Sequence, residues 1–252
     1  MNRSLHPLLV VLAIVACSAA DSPEAARDTG APGRSGAADV VASDSTMVVP
    51  TEARVPSDEP PVVVFLGTSL TAGMGLEREA DGYVSVLAQM ADSASRPFRA
   101  VNAGVSGDTS AGGLRRVDWL LRSQVDVLVV ELGANDGLRG QDPEALAANL
   151  EEIIRRTREA YPEALFVLAG MEAPPNMGDR YTAAFRAVFP EVARSTGAAL
   201  IPFLLEGVAG VPELNQDDRI HPNPEGHRRV ALNAWPVLEA VMGEVMDRRV
   251  RR

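Results

Sequence analysis

The 252-residue sequence predicts an α/β domain built on a five-stranded parallel sheet. From residue 61 onward, short apolar runs rich in β-branched residues alternate with longer segments in which apolar residues recur at helical spacing. Strand and helix repeated in series are typical of a parallel sheet that helices cover on both faces. In such sheets ligands bind beyond the carboxyl ends of the strands, so a functional site is expected in the segments that follow them.

The predicted elements follow one another in strand–helix order. Each strand is a short apolar run, and the five runs are Val62–Leu66, Phe98–Asn102, Val125–Leu132, Leu165–Met171 and Ala199–Phe203. The helices are the segments of helical spacing, namely Asp81–Ser95, Ser110–Ser123, Pro143–Ala160, Arg180–Thr196 and Glu225–Met246. The folded domain is therefore expected over residues 61–247, followed by a basic tail at 248–252.

The first 60 residues predict export and a tether. The apolar run Pro7–Ala16 suits a signal peptide and is too short for a transmembrane helix. It ends at Cys17, and "IVAC" resembles a bacterial lipobox, so residues 1–17 are expected to be a lipoprotein signal with Cys17 as the lipidated residue. The alternative is an ordinary signal peptide cleaved nearby. Residues 18–60 are too poor in apolar side chains to offset their chain entropy and predict a disordered tether.

The expected location follows from that N-terminus. A lipidated Cys17 would make the protein an exported, membrane-anchored lipoprotein. Ser18 is not the aspartate that commonly retains lipoproteins at the inner membrane, so the outer membrane is the expected address in a bacterium with two membranes. A periplasmic or secreted protein is the alternative if Cys17 is not lipidated.

Composition excludes several function classes. The formal net charge is −10, which disfavours nucleic-acid binding because that needs a basic surface. The sequence has no lysine, which excludes a lysine Schiff base and a P-loop lysine. Three histidines and a single cysteine disfavour a zinc site, and no disulfide can form within the chain. No metal and no cofactor are expected.

Polar, glycine-rich segments follow the predicted strands. They read "GTSLTAG" after the first strand, "NAGVSGDTSAGG" after the second and "GANDG" after the third, and "QDDRIHPN" precedes the last helix. Gathered at one edge of the sheet, they would bring together a serine, backbone N–H donors, an amide, an aspartate and a histidine. Acyl transfer requires this set, because a serine nucleophile needs a base and the tetrahedral oxyanion needs fixed donors.

The residues suggest a role for each group. Ser69 is the candidate nucleophile, and His221 lies three residues after Asp218, so that carboxylate can reach one ring nitrogen while the other faces the serine. The candidate oxyanion donors are the N–H groups of Ser69 and Gly107 and the side-chain amide of Asn135.

The four segments resemble, in the same order, those of the SGNH hydrolases, also called GDSL-type esterases. The extended forms "NAGVSGDTSAGGLRR" and "VVELGANDGLRG" look like the bacterial arylesterase and multifunctional thioesterase/lysophospholipase branch. The resemblance implies a flavodoxin-like three-layer α/β/α fold and a metal-independent esterase with the triad Ser69, Asp218 and His221. One departure is visible, because Thr68 stands where the family usually has an aspartate that is not a triad member.

Several residues have an alternative interpretation. Ser69 alone is typical of a helix cap or turn, and Asp217 is the rival of Asp218. His227 lies beside two arginines at helical spacing and is expected to be a solvated helix residue. Asp108 and Asp136 are expected to brace loops.

A further loop, "EAPPNMGDRY", follows the fourth strand. It places Pro175, Asn176 and Met177 as candidate substrate contacts, because the corresponding loop of the similar branch lies beside the acyl pocket. The alternative is an ordinary connection between a strand and a helix.

The sequence therefore predicts a serine esterase; it leaves the oligomeric state open and favours a monomer. The expected substrates are small acyl esters, with short or medium acyl chains or aryl groups, hydrolysed through an acyl-serine intermediate. Lysophospholipase and acyl-CoA thioesterase activity are the alternatives within the class. A lipoprotein binding module that keeps the fold without catalysis is the alternative from another class. The expected contact with a membrane is through the N-terminal lipid anchor.

Overall fold

The computed structural model describes residues 59–251. The expected signal segment, the lipidation site at Cys17 and nearly all of the expected tether lie outside the described residues. These features stay predictions.

The described chain alternates strands and helices as the sequence predicts. The strands are β1 (Val62–Gly67), β2 (Arg99–Gly104), β3 (Val127–Glu131), β4 (Leu165–Ala169) and β5 (Ala199–Ile201). The helices are α1 (Ser69–Ala72), α2 (Tyr83–Ser93), α3 (Ser110–Leu120), α4 (Ala134–Leu138), α5 (Pro143–Ala160), α6 (Asp179–Thr196) and α7 (Pro224–Val250). Short 3₁₀ turns lie at Glu79–Asp81, Pro175–Met177 and Pro212–Leu214.

All five strands pair in parallel, in the order β2-β1-β3-β4-β5. Every residue of β1 and of β3 is buried, as expected for central strands that helices cover on both faces. Helices α2 and α7 pack together, and α5 packs against both α3 and α6. The predicted α/β class with a five-stranded parallel sheet is confirmed.

The register aligns the ends of three neighbouring strands. Gly67, the last residue of β1, is paired with Gly104 of β2 on one side and with Glu131 of β3 on the other. The segments that follow these strands therefore leave the sheet side by side. This places the serine, glycine and asparagine segments at one edge.

Two short helices were not expected from the sequence. Helix α1 has four residues and α4 has five, and each directly follows a central strand. Neither spans enough turns to produce a helical pattern of apolar residues. They matter because α1 begins with Ser69 and α4 contains Asn135.

Helix α7 is longer than expected and takes in part of the basic tail. It runs to Val250. Arg249 donates to Asp126 Oδ1 at 3.3 Å and to the backbone carbonyl of Glu59 at 2.7 Å. Arg248 donates to Glu244 one turn earlier, at 2.6 Å. These bonds hold both arginines in the last turn of the helix.

The expectation that His227 is solvated was wrong. Its side chain is 1% exposed, because it shares the inward face of α7 with Val230, Ala231 and Ala234. The Nδ1 atom accepts a hydrogen bond from the backbone N–H of Tyr83 at 3.2 Å, and the two rings stack with centroids 6.3 Å apart. Burial lowers the pKa of His227 to about 4, and a positive charge on His221 would act in the same direction.

Acidification is expected to destabilise the fold through His227. An unfolded histidine titrates near pH 6.5, so between that pH and the folded pKa of about 4 the unfolded chain binds a proton that the folded chain does not. The free energy of unfolding should therefore fall as pH falls through this window, by up to about 1.4 kcal/mol per pH unit. Urea unfolding at several pH values measures this slope. His227→Asn, whose side-chain oxygen can replace Nδ1, should show a flatter slope, and an unchanged slope would contradict the assignment.

Candidate active site

Ser69 is the first residue of α1 and stands on the tight turn from Gly67 to Thr71, called the serine turn below. Its side chain is half-buried, whereas both neighbours, Thr68 and Leu70, are buried. The turn requires glycine at position 67, because a Cβ atom there would lie 1.9 Å from Thr71 Oγ1 and 2.6 Å from Glu131 Oε2. The sharp turn thus leaves the Ser69 hydroxyl at the carboxyl edge of the sheet.

Ser69, His221 and Asp218 form one hydrogen-bonded chain. His221 Nε2 lies 3.0 Å from Ser69 Oγ, and His221 Nδ1 lies 2.6 Å from Asp218 Oδ2. Because the carboxylate accepts a hydrogen bond from Nδ1–H, Nε2 is left without a hydrogen and can accept the hydroxyl proton of Ser69. The His221 side chain is 16% exposed and that of Asp218 is 43% exposed, so the chain runs from solvent into the site.

The turn from Asp218 to His221 fixes the carboxylate. Asp218 Oδ1 accepts from the backbone N–H groups of Ile220 and His221 at 2.9 and 3.0 Å. The side-chain bond to His221, with these two backbone bonds, lowers the pKa of Asp218 to about 2. Asp217, the rival aspartate, makes no hydrogen bond with His221 within residues 59–251.

Gln216 anchors the histidine segment and was not singled out from the sequence. Its Nε2 donates to the carbonyl oxygens of Met74 at 2.8 Å and Pro222 at 2.9 Å. Its backbone N–H donates to the His221 carbonyl at 2.8 Å. Because Met74 closely follows α1, Gln216 ties the histidine segment to the serine turn. Its place in the "QDDRIHPN" segment was the only sequence signal.

The proposed oxyanion donors come from three segments at the same edge. Gly107 has φ +82°, a conformation that favours glycine. In the part of the chain that the structure describes, no protein acceptor takes the N–H of Ser69 or of Gly107. Asn135 Nδ2 donates one hydrogen to the Asp108 carbonyl at 2.9 Å and has a second hydrogen for a ligand.

Asp136 and Asp108 brace the loops, as the sequence predicted. Buried Asp136 accepts from the N–H and the hydroxyl of Ser110 at 2.9 and 2.6 Å. Asp108 pairs with Arg116 at 2.7 Å, and the same guanidinium donates to the Gly67 carbonyl at 3.0 Å. Arg116 therefore links the end of β1 to the segment that carries Gly107.

The candidate substrate contacts lie beside this edge and not within the hydrogen-bonded chain. Pro175 and Asn176 are exposed and Met177 is half-buried. The Met177 side chain packs over Gly140. A Cβ atom added to Gly140 would lie 2.8 Å from Met177 Cε. Gly140 closely follows α4, so Met177 is coupled to the helix that carries Asn135. Within residues 59–251, no hydrogen bond joins these three residues to Ser69 or His221.

The described residues contain neither a cluster of metal ligands nor a membrane-spanning helix. Over residues 59–251, no three His, Cys, Asp or Glu side chains are grouped so that they would hold a metal ion. Within the same range, no helix has both the length and the apolar character needed to cross a bilayer.

Comparison with known proteins decides the family. The model of the GDSL-like Lipase/Acylhydrolase family matches residues 65–229, a range that includes Ser69, Gly107, Asn135, Asp218 and His221. The chain belongs to this family. The resemblance to the family seen in the sequence is confirmed, and solved structures of similar proteins match the fold with TM-scores of 0.68 and 0.67.

Relatives in the GDSL-like family carry esterase names. Esterase TesA of Pseudomonas aeruginosa is 41% identical over 181 residues, 71% of this chain and 89% of its own. The thioesterase 1/protease 1/lysophospholipase L1 of Escherichia coli is 38% identical over 170 residues, 67% and 79% of the two chains. The psychrotrophic esterase EstA from Pseudoalteromonas sp., solved in a form inhibited by monoethylphosphonate, is 32% identical with a TM-score of 0.67 and covers 72% of this chain and 98% of its own.

Proposed function

We propose that the protein is a serine esterase in which Ser69 attacks the carbonyl carbon of a small acyl ester. The observation that carries the proposal is the continuous hydrogen-bonded chain from Ser69 Oγ through His221 to Asp218. A serine hydroxyl is a poor nucleophile, and an adjacent imidazole held by a carboxylate is the arrangement that activates it. Family membership and the esterase relatives support the same reaction.

The reaction then proceeds in two halves. His221 Nε2 takes the Ser69 proton as Oγ bonds to the carbonyl carbon, and Asp218 stabilises the charged ring. The N–H groups of Ser69 and Gly107 and the Asn135 amide donate to the oxyanion. His221 returns the proton to the leaving alcohol, which breaks the ester bond and leaves acyl-Ser69. Water attacks the acyl carbon as His221 takes its proton, and His221 then gives that proton to Ser69 Oγ as the bond between the acyl carbon and Oγ breaks, which releases the carboxylic acid.

The test is hydrolysis of p-nitrophenyl esters with acyl chains of increasing length. Turnover that persists in EDTA, together with labelling of Ser69 by a fluorophosphonate probe, is the expected result. Short or medium acyl esters are proposed as the best substrates. The same assay on lysophospholipids and acyl thioesters tests the two alternative activities, lysophospholipase and acyl-CoA thioesterase. The name of the Escherichia coli relative favours these alternatives. A folded protein that hydrolyses no ester and takes no label would be the non-catalytic binding module.

We also propose that the Pro175–Met177 loop contacts the acyl chain. Met177 supplies an adaptable apolar side chain and packs over Gly140, close to the helix that carries Asn135. Met177→Ala is therefore expected to shift the preferred acyl chain length, measured as kcat/KM across the ester series. Met90→Ala, the same change on helix α2, is the control. An identical chain-length profile in both variants would contradict a role for Met177 in substrate contact.

We propose, from the sequence, that Cys17 is lipidated and anchors the enzyme to a membrane. Two or more acyl chains give stable anchoring where one gives only marginal binding. The wild-type protein should incorporate labelled palmitate and enter the detergent phase, and Cys17→Ser should do neither. A flexible segment of about 40 residues spans roughly 35 Å, enough to hold the site clear of lipid headgroups. A mature soluble protein with another N-terminus would refute the anchor and leave the esterase proposal intact.

A further inference from the structure

A buried carboxyl group lies directly beneath the serine turn and takes no part in the proposed reaction. Glu131 is the last residue of β3, is paired with Gly67 across the sheet and is 1% exposed. The absence of a side chain at Gly67 makes room for it, because a Cβ atom there would be 2.6 Å from Glu131 Oε2. The sequence gives one signal for it, an acidic residue that ends an otherwise apolar strand.

The carboxyl group binds both sides of the turn. Oε2 accepts from the backbone N–H of Thr68 at 2.8 Å and of Thr71 at 3.3 Å. The Thr68 hydroxyl donates to Oε1 at 3.0 Å, and the Thr71 hydroxyl donates to Oε2 at 2.8 Å. Thr68 precedes Ser69 and Thr71 follows it by two residues. One carboxyl group therefore holds the segment on which Ser69 stands at both ends.

Helix α1 does not fix the shape of the turn by itself. Helix α1 is four residues long, and helices this short do not hold their own conformation. Its first N–H groups have no partner within a helix, and the Thr68 side chain does not cap them. From a neighbouring strand, Glu131 accepts from one of them, the N–H of Thr71, and from the N–H of Thr68 just before the helix. The conformation of the serine turn thus depends on a residue 62 positions later in the sequence.

A series of contacts connects Glu131, through Thr71 and Tyr83, to helix α7. Thr71 Oγ1 lies 2.7 Å from the Tyr83 hydroxyl, and the Tyr83 ring stacks on His227 of α7. All four side chains are buried, and no buried side-chain polar atom in residues 59–251 lacks a hydrogen-bond partner. Burial raises the pKa of Glu131, and the bonds from Thr68 and Thr71 oppose that rise.

Thr68, which stands where the family usually has an aspartate, suits the contacts with Glu131 better than an aspartate would. Its hydroxyl donates to both carboxyl oxygens of Glu131, at 3.0 and 3.2 Å. An aspartate at position 68 would bring a second carboxyl group to the same buried place, where two like charges disfavour each other. The departure of this chain from the usual G-D-S-L order therefore suits a turn that donates hydrogen bonds to Glu131.

We propose that Glu131 is a positioning residue for Ser69, acting through hydrogen-bond geometry with Thr68 and Thr71. It does not touch the substrate, since its side chain is enclosed beneath the turn. Its effect is on the placement of Ser69 Oγ relative to His221 Nε2. The proposal rests on the proposed serine esterase function.

The decisive comparison is Glu131→Gln with Glu131→Asp, assayed with a p-nitrophenyl ester. In Glu131→Gln the amide oxygen can replace Oε2 and the amide nitrogen can donate to the Thr68 hydroxyl, so kcat should fall by less than about tenfold. Glu131→Asp keeps a carboxyl group but withdraws it by one methylene. Misplacement by about 1 Å costs about 10²-fold in rate, so kcat should fall by about 10²-fold with KM nearly unchanged. The rate of Ser69 labelling by a fluorophosphonate should fall in parallel.

A matched pair of threonine variants gives an independent readout. Thr71→Val removes the hydroxyl that bonds Glu131 and should lower kcat by about tenfold. Thr157→Val makes the same change at a fully buried threonine of α5, which donates to the Ile153 carbonyl at 2.9 Å. It should alter the melting temperature and leave kcat unchanged. This pair decides the question if a Glu131 variant does not fold.

The outcomes separate the two proposals. A Glu131→Asp enzyme as active as wild type, or more active than Glu131→Gln, would overturn the positioning role and leave the esterase standing. Equal effects of Thr71→Val and Thr157→Val on kcat would also overturn it. A folded wild-type protein that hydrolyses no ester would overturn both proposals.

Discussion

Ser69→Ala is expected to lower kcat for ester hydrolysis by at least about 10⁴-fold, because a methyl group cannot attack a carbonyl carbon. The fold should be unaffected, since the half-buried hydroxyl leaves no large cavity when it is lost. Steady-state turnover of a p-nitrophenyl ester measures the effect. Circular dichroism and the melting temperature should match those of the wild type.

The control for this substitution is Ser195→Ala in α6. The Ser195 hydroxyl donates to Glu151 at 2.6 Å, on helices that do not carry the serine turn. This variant should hydrolyse the ester at the wild-type rate and take the fluorophosphonate label, whereas Ser69→Ala should take none. Turnover within tenfold of wild type in a folded Ser69→Ala protein would remove Ser69 as the nucleophile.

Asn135→Ala is expected to lower kcat by about 10²–10³-fold with little change in KM, the usual effect of losing one oxyanion donor. The amide acts on charge that develops in the transition state, so substrate binding should be nearly unaffected. Part of the loss will come from the segment around Gly107, because Asn135 Nδ2 also donates to the Asp108 carbonyl. The measurement is kcat and KM for the best ester of the series.

Asn233→Ala is the matched control for the oxyanion donor. Asn233 Nδ2 donates to the backbone carbonyls of Leu204 and Glu206, so its loss also frees a loop that an asparagine holds. This variant should lose stability without losing kcat. If both variants keep the wild-type kcat, the Asn135 amide serves only the loop.

Much of the site could be located from the sequence because it is assembled by topology. In a parallel sheet every strand delivers its following segment to the same edge, so finding the strands was enough to bring Ser69, Gly107 and Asn135 together. The spacing of three residues predicted that Asp218 and His221 form a pair. One turn does bring Asp218 Oδ2 to 2.6 Å from His221 Nδ1. Helix Pro143–Ala160 has the bounds predicted from its apolar spacing.

The wrong or missed predictions concern the burial of one side chain and the presence of two short helices. His227 was expected in solvent because its sequence neighbours are arginines, yet the inward face of α7 buries it against Tyr83. Helix orientation is set by packing against other elements, which local charge does not report. Helices α1 and α4 were missed because four or five residues carry no helical period.

The sequence by itself determined the strand order along the chain, the segments that follow each strand and the chemical groups that those segments carry. Only the tertiary structure decided which residues outside the triad and the oxyanion donors hold these groups in place. Glu131 accepts a hydrogen bond from Thr68 in the serine turn, and Gln216 donates one to Met74 just after it. Both bonds join residues that are far apart in the sequence. Such bonds depend on distance and angle in three dimensions, and sequence spacing does not encode them.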